Sequence, residues 1–296
     1  MMGRDGGLQD ALRRHAATLS VEIGERTVFG GDSLTRAAGY IREVFEGAGL
    51  EVTEQAYEYC GRRVANLIAA PRSTSTANAY YLVGAHYDTV PGTPGADDNA
   101  SAVAVLLELA RRLADNPPPA PVRLVAFTLE EPPAFNTSSQ GSRVFVRQLR
   151  QTGDRILGAI ILEMVGFTCP EQDYPLVLRW AGYPRQGNFI GIVGNWRSRR
   201  FARAVRKGFR GNPRLPVESL LVPLNGWVLP ATRLSDHASF WDQGWPAVMV
   251  TDTAFFRNPH YHSPSDTLET LDLAFMAELV TSLGLALDGL AFERSG

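Results

Sequence analysis

Cysteine is scarce. Cys60 and Cys169 are the only two in 296 residues, too few for a disulfide framework and not spaced to bind a metal as a pair. Any metal the chain holds must come from histidine and carboxylate ligands. An excess of one charge sign is also missing: 29 Lys+Arg stand against 31 Asp+Glu, a formal net charge of −2. No global field therefore speaks for nucleic acid or an acidic membrane surface. Residues 1–10 carry glycine and charge but no apolar core of the signal-peptide kind. The most apolar late stretch, 271–292, is broken by Asp272, Glu278 and Asp288 before it reaches the ~18 uncharged residues a membrane span needs. The expectation is a cytoplasmic chain without a membrane segment, ending in a buried helix. What is present is apolar mass, 45% of residues, ample for a core. No long linker or internal repeat interrupts it, so 1–296 reads as a single domain of open oligomeric state.

Residues 33–48 place Leu34, Ala37, Ala38, Ile41, Val44 and Phe45 at the spacing of one helical face, and Gly47-Ala48-Gly49 stops the pattern. Residues 50–59 and 64–70 flank Gly61 as a strand pair, and 80–85 is a short apolar strand. A helix over 101–113 follows, halted by Pro117-Pro118-Pro119. Residues 122–128 and 156–164 are further runs of strand length. Strands alternating with helices predict an α/β fold of three layers, α/β/α, around a mixed, mostly parallel sheet. The stretch 170–230 is harder to assign, with scattered Pro and Gly and a basic helix over 197–210. A solvated helix face accounts for those cations better than nucleic acid does, given the net charge.

In an α/β sheet, ligands gather beyond the carboxyl ends of the strands. Three predicted strands finish in a metal-type ligand: 80–85 in His86-Tyr87-Asp88, 122–128 in Glu130-Glu131, and 156–162 in Glu163. Glu163 lies between Ile160-Ile161-Leu162 and Met164-Val165, which predicts burial, and a buried carboxylate needs a cation, whether a metal or an arginine. Adjacent Glu130 and Glu131 repel each other, and a metal on one leaves the other free to act as a base. Asp97-Asp98-Asn99-Ala100-Ser101 precedes an apolar helix; capping accounts for Asn99 or Ser101, but two aspartates exceed what a cap requires. One of them is placed to bridge two metals. His262, in His260-Tyr261-His262-Ser263-Pro264-Ser265-Asp266, sits on a loop that can return to the same crevice, with Ser265 and Asp266 expected to open the last helix. Ser235-Asp236-His237 reads as a cap, leaving His237 open as a substrate-binding residue.

Taken together, Gly84-Ala85-His86-Tyr87-Asp88, Gly95-Ala96-Asp97-Asp98-Asn99-Ala100-Ser101, Phe127-Thr128-Leu129-Glu130-Glu131, Ser235-Asp236-His237 and Tyr261-His262 resemble the double-zinc aminopeptidases of peptidase family M28, relatives of glutaminyl cyclases and glutamate carboxypeptidases. The resemblance runs from about residue 33 onward. It implies two zinc ions or other divalent metals, with His86 and Glu163 on one, Glu131 and His262 on the other, and Asp97 bridging them. It further implies that Asp88 orients His86, that Glu130 is the general base, and that Tyr261 donates to the tetrahedral intermediate. Nitrogen and oxygen ligands suit zinc, and a carboxylate behind a ligating histidine fixes its tautomer. Two departures stand out. Pro132-Pro133-Ala134-Phe135 replaces the family's short Gly-Leu turn, and Glu163 stands where the family commonly has Asp. The implied function is an exopeptidase acting on peptides or amino-acid amides, with the acidic site favouring the amino end. A glutaminyl cyclase-like cyclotransferase and an inactive peptide-binding homologue are the rivals.

Overall fold

The computed structural model describes residues 2–291. Eight strands form one sheet: β1 (Leu50–Tyr59), β2 (Arg62–Pro71), β3 (Ala79–His86), β4 (Val122–Phe127), β5 (Arg155–Glu163), β6 (Ile190–Asn195), β7 (Val217–Val222) and β8 (Ala247–Thr251). The helices are α1 (Met2–Ala17), α2 (Ser33–Gly47), α3 (Ala102–Asp115), α4 (Gly141–Thr152), α5 (Leu176–Trp180), α6 (Arg199–Phe209), α7 (His237–Asp242) and α8 (Leu273–Asp288). The strand order is β1-β2-β4-β3-β5-β8-β6-β7. Its centre, β4-β3-β5-β8, is parallel; β1 and β2 pair antiparallel with each other and β2 with β4, and β6 runs antiparallel to β8 and parallel to β7.

The period-two alternation of strands sorts the side chains into two cores. Along β4, Leu124 and Ala126 join the cluster that α1, α2, α3, α6 and α8 complete, while Val125 and Phe127 join Phe145 of α4 and Phe240 and Trp241 of α7 on the other face. The result is the expected α/β/α sandwich. Two strands, β6 and β7, come from the stretch that resisted assignment. Helix α6 buries Phe201, Ala202, Val205 and Phe209 and exposes Arg200, Arg203 and Lys207, the arrangement of a solvated face. The terminal helix starts at Leu273, where Asp272 caps it by accepting from the Phe275 amide; Ser265 and Asp266 do not open it, and Phe292 lies outside the described residues. No described helix is long and apolar enough to cross a membrane.

Candidate metal centre

The four adjacent parallel strands deliver their carboxyl ends side by side, about 4.8 Å apart. His86 ends β3, Glu163 ends β5, and Glu130 and Glu131 follow β4 by a short turn. The turns are tight. Leu129, Met164 and His262 take positive φ values of 55°, 44° and 53°, conformations disfavoured for side chains other than glycine and typical of constrained sites.

These ends converge on a buried acidic cluster. His86 Nε2 lies 3.4 Å from Asp98 Oδ1 and 3.5 Å from Glu163 Oε2. His262 Nε2 lies 3.2 Å from Asp98 Oδ2 and 3.4 Å from Glu131 Oε1. One oxygen of Asp98 thus faces one His/Glu pair and the other faces the second pair. Among the described residues, His86, Asp98 and Glu163 form one candidate metal-holding group, Asp98, Glu131 and His262 another, and His86, Glu130 and Glu131 a third.

Asp97, expected to bridge, does not lie between the two pairs; its neighbour Asp98 does. The Asp97 carboxylate turns beneath the loop, where Oδ1 accepts from the Gly166 amide at 2.8 Å and Oδ2 from Asn258 Nδ2 at 2.7 Å. Both its oxygens are committed to protein donors. Backbone angles at Asp98 (φ −105°, ψ 87°) are non-helical, so the two neighbouring side chains diverge.

A second layer of groups fixes this geometry. His86 Nδ1 donates to the Asp88 main-chain oxygen at 3.2 Å and lies 3.5 Å from Asp88 Oδ1. That tautomer leaves the Nε2 lone pair for the cluster. The Asp88 carboxylate also accepts from the amides of Glu130 and Glu131, each at 3.0 Å. Asp88 therefore ties the His86 ring and the Glu130 and Glu131 backbone together. Asp266 accepts from the amides of Asp97 and Asp98, and Asn99 and Ser101 bind the backbone of Leu162, Met164 and Val165 instead of capping α3. Fully buried Arg26 donates to the carbonyls of Leu19, Gly24, Tyr87, Pro94 and Gly95. Gly95 is left-handed, and a Cβ there would stand 2.3 Å from the Asp98 carbonyl oxygen.

The electrostatics fit a cation. Burial and the charge of Asp98 push Glu131 up to about 8; burial, against the opposing His86, holds Glu163 above its ordinary value. Glu130 is raised well above the carboxylate range by burial, against His86 but with Glu131 and Glu163 adding to it. Burial disfavours charge on His86, yet Glu163, Asp88 and Asp98 hold its pKa well above the ordinary value. His262 likewise is brought to about 10 by Asp98 and Glu131 against the effect of burial. Without a cation, these groups must keep protons to coexist. His86 Nε2 and Asp98 Oδ1 are also buried without a hydrogen-bond partner. Unpaired atoms of this kind are costly, and a divalent ion between a neutral imidazole and carboxylates satisfies them.

Beside the cluster opens a largely apolar pocket. Glu163 and Tyr261 line its metal end, and Tyr174, Tyr183, Phe189, Met249 and Phe255 contribute to its walls. The Tyr261 ring stacks on His262 at 3.7 Å. Burial and then Asp98 raise its hydroxyl pKa, so it keeps its proton. The loop after Glu131 builds no part of this pocket: the amides of Ala134 and Phe135 fold back on the Glu131 carbonyl. His237 does not reach the site. Its Nε2 donates to the Thr232 carbonyl at 2.8 Å, its ring packs against Trp241, and burial lowers its pKa to about 4. Its neighbours do not cap α7 with their side chains. Ser235 donates to Glu163 Oε2 at 2.7 Å and Asp236 accepts from Gln140.

Comparison with known proteins agrees with this fold. Residues 66–283 match the profile of Peptidase family M28. The uncharacterized protein YfbL of Escherichia coli K12 is 37% identical over 283 residues, covering 92% of this chain and 85% of YfbL. Aminopeptidase YwaD of Bacillus subtilis is 29% identical over 227 residues, 73% of this chain. The chain spans only 42% of YwaD, less than half its length. Among solved structures, LapB from Legionella pneumophila superposes with a TM-score of 0.75 at 20% identity, over 98% of this chain and 75% of LapB. A Bacteroides thetaiotaomicron glutaminyl cyclase bound to N-acetylhistamine superposes at 0.71 and 17%, over 96% and 98%. At such identities these two structures speak for the fold.

Proposed function

The chain belongs to peptidase family M28, and on that premise we propose that it is a zinc-dependent aminopeptidase removing N-terminal residues from peptides. His86 and Glu163 would hold one ion, Glu131 and His262 the other, with Asp98 shared between them. The observation that carries this reading is the division of the Asp98 carboxylate, one oxygen toward each His/Glu pair. When bound, zinc supplies the Lewis acidity that activates a water and polarises a scissile carbonyl.

The chain's own residues then have distinct tasks. Glu130 takes the proton of the attacking water and returns it to the leaving amine; burial and its acidic neighbours raise its affinity for that proton. Asp88 holds both the His86 ring and the Glu130 backbone in place. Tyr261 keeps its hydroxyl proton and donates it in a hydrogen bond to the carbonyl oxygen as charge develops there. The substrate's α-amine is drawn to Glu130 and Glu163. A free α-carboxylate would need a cationic partner, and the described residues lining the pocket include no Lys or Arg. This favours the amino end.

One peptide offered free, N-acetylated and C-amidated to the zinc-loaded enzyme tests the proposal. Acetylation is expected to stop cleavage, and amidation to leave it in place. The reverse pattern would make the protein a carboxypeptidase, and pyroglutamate released from an N-terminal Gln peptide without hydrolysis would make it a cyclase.

A further inference from the structure

The apolar pocket carries an acid at each end, and only Glu163 belongs to the metal cluster. In the sheet register Glu163 on β5 pairs with Thr251 on β8, Thr251 with Gly191 on β6, and Gly191 with Glu218 on β7. All four line the pocket. Paired residues point their side chains to the same face of a sheet. Thr251 and the side-chain-free Gly191 therefore make a floor, with Glu163 and Glu218 standing at its ends. Three strand spacings put their backbones about 14 Å apart.

The Glu218 end is aromatic and accepting. Tyr174 and Tyr183 meet edge-to-face at 6.4 Å; burial raises both their pKa values, Glu218 adding to it at Tyr183 and, behind the opposing Arg257, at Tyr174, and Glu218 lines the pocket with both rings. The two tyrosine hydroxyls donate to the carbonyls of Pro184 and Ser219, so what remains to them is acceptor capacity. Among the described residues Glu218 is paired with Arg206, whose Nη2 is 3.9 Å from Oε2 with the two side chains 32% and 36% exposed. That separation exceeds a hydrogen bond, and a pair so exposed is weak and screened. A carboxylate, tyrosine oxygens and aromatic faces at the end of an apolar slot together suit a cation on an aliphatic stem.

We propose that Glu218 is a specificity-determining residue that selects substrates whose first residue is lysine or arginine. The inference rests on the aminopeptidase reading, because it seats the α-amine at the Glu163 end. An extended lysine spans about 7.5 Å from α-amine to Nζ. A hydrogen bond of about 2.9 Å at each end brings the total to about 13 Å, comparable with the ~14 Å between the backbones that carry the two carboxylates. Norleucine fills the same slot without the charge.

The test compares kcat/KM of the zinc-loaded enzyme on the p-nitroanilides of Lys, Arg, Leu and norleucine at low and high salt. Lys is expected to exceed norleucine by about tenfold at low salt, the scale of one partly exposed charge-assisted hydrogen bond, and the ratio should shrink as salt rises. Glu218→Gln should bring the Lys/norleucine ratio to about one or below. Arg206→Ala should raise it by removing the competing cation. A wild-type preference for norleucine, or a Glu218→Gln variant that loses both substrates equally, overturns the inference. Turnover of leucine and norleucine without preference for Lys overturns it while leaving the aminopeptidase reading intact. Turnover of none of the four overturns both.

Discussion

Asp97 and Asp98 are chemically identical and adjacent, yet only one faces the cluster, and the choice is made far away in sequence. Asp266, 168–169 residues on, accepts from both their amides and so sets the loop's rotation. Gly166 and Asn258 then claim the Asp97 oxygens. Asp98→Asn is therefore expected to lose metal by more than the ~10–100-fold typical of a group behind a ligand. Asp97→Asn should retain it and cost about 1 kcal/mol of stability, because burial already raises the pKa of that carboxyl. Elemental analysis after dialysis against a chelator, with urea midpoints, checks the pair; the opposite ranking would return the bridge to Asp97. His86, Glu131, Glu163 and His262 were legible in the sequence because each follows an apolar run or a recognisable motif, and a strand end can be read locally. The aspartate register could not be, since long-range hydrogen bonds decide it. His237 misled for the converse reason: a histidine in a motif looks available until the Thr232 carbonyl and Trp241 ring claim it.

At the scale of elements, the central strands β3, β4 and β5 announce themselves by near-continuous apolar runs, as buried parallel strands do. Strands β6 and β7 do not. Ile190–Asn195 contains two glycines and Val217–Val222 follows a proline, so pairing with β8 and with each other, more than propensity, makes them strands. The pocket they floor was hidden with them. Arg26 was equally invisible, an isolated cation between ordinary neighbours. Its donors join the segment before α2 to the loop carrying Asp98. Arg26→Lys supplies at most three donors, leaving carbonyls unsatisfied in a buried site. The variant is expected to lose about 3 kcal/mol of stability and to release metal faster than wild type. Denaturant midpoints and the rate of zinc transfer to a chromogenic chelator measure the two effects. Loss of stability with unchanged zinc release would confine Arg26 to the scaffold.

For the molecule as a whole, the cluster joins three sheet strands and the loop between β8 and α8, so metal and fold are linked. Free of a cation, the site must shelter several acids and two histidines in a buried volume, which opposes folding. A ligand at about a thousand times its Kd adds about 4 kcal/mol to stability. Removing zinc with a chelator is thus expected to lower Tm by about 7 °C, and adding zinc back should restore it. Scanning calorimetry reads both steps; an unchanged Tm would show that the scaffold holds the cluster without help.

Helix α1 packs on α3 and on α8, with His15 hydrogen-bonded to Glu108 of α3 and to Tyr40 of α2. About 250 residues separate α1 from α8. Translation at 5–20 residues per second inserts a delay of roughly 12 to 50 seconds between synthesis of the two surfaces. Throughout that interval the apolar side of α1, with Leu12 and Ala16 at its seam, has no α8 to cover it. The layer containing α1 can close only after the ribosome has delivered α8, so the nascent chain must pass through a stage in which this face is open to chaperones or to neighbouring chains on the same message.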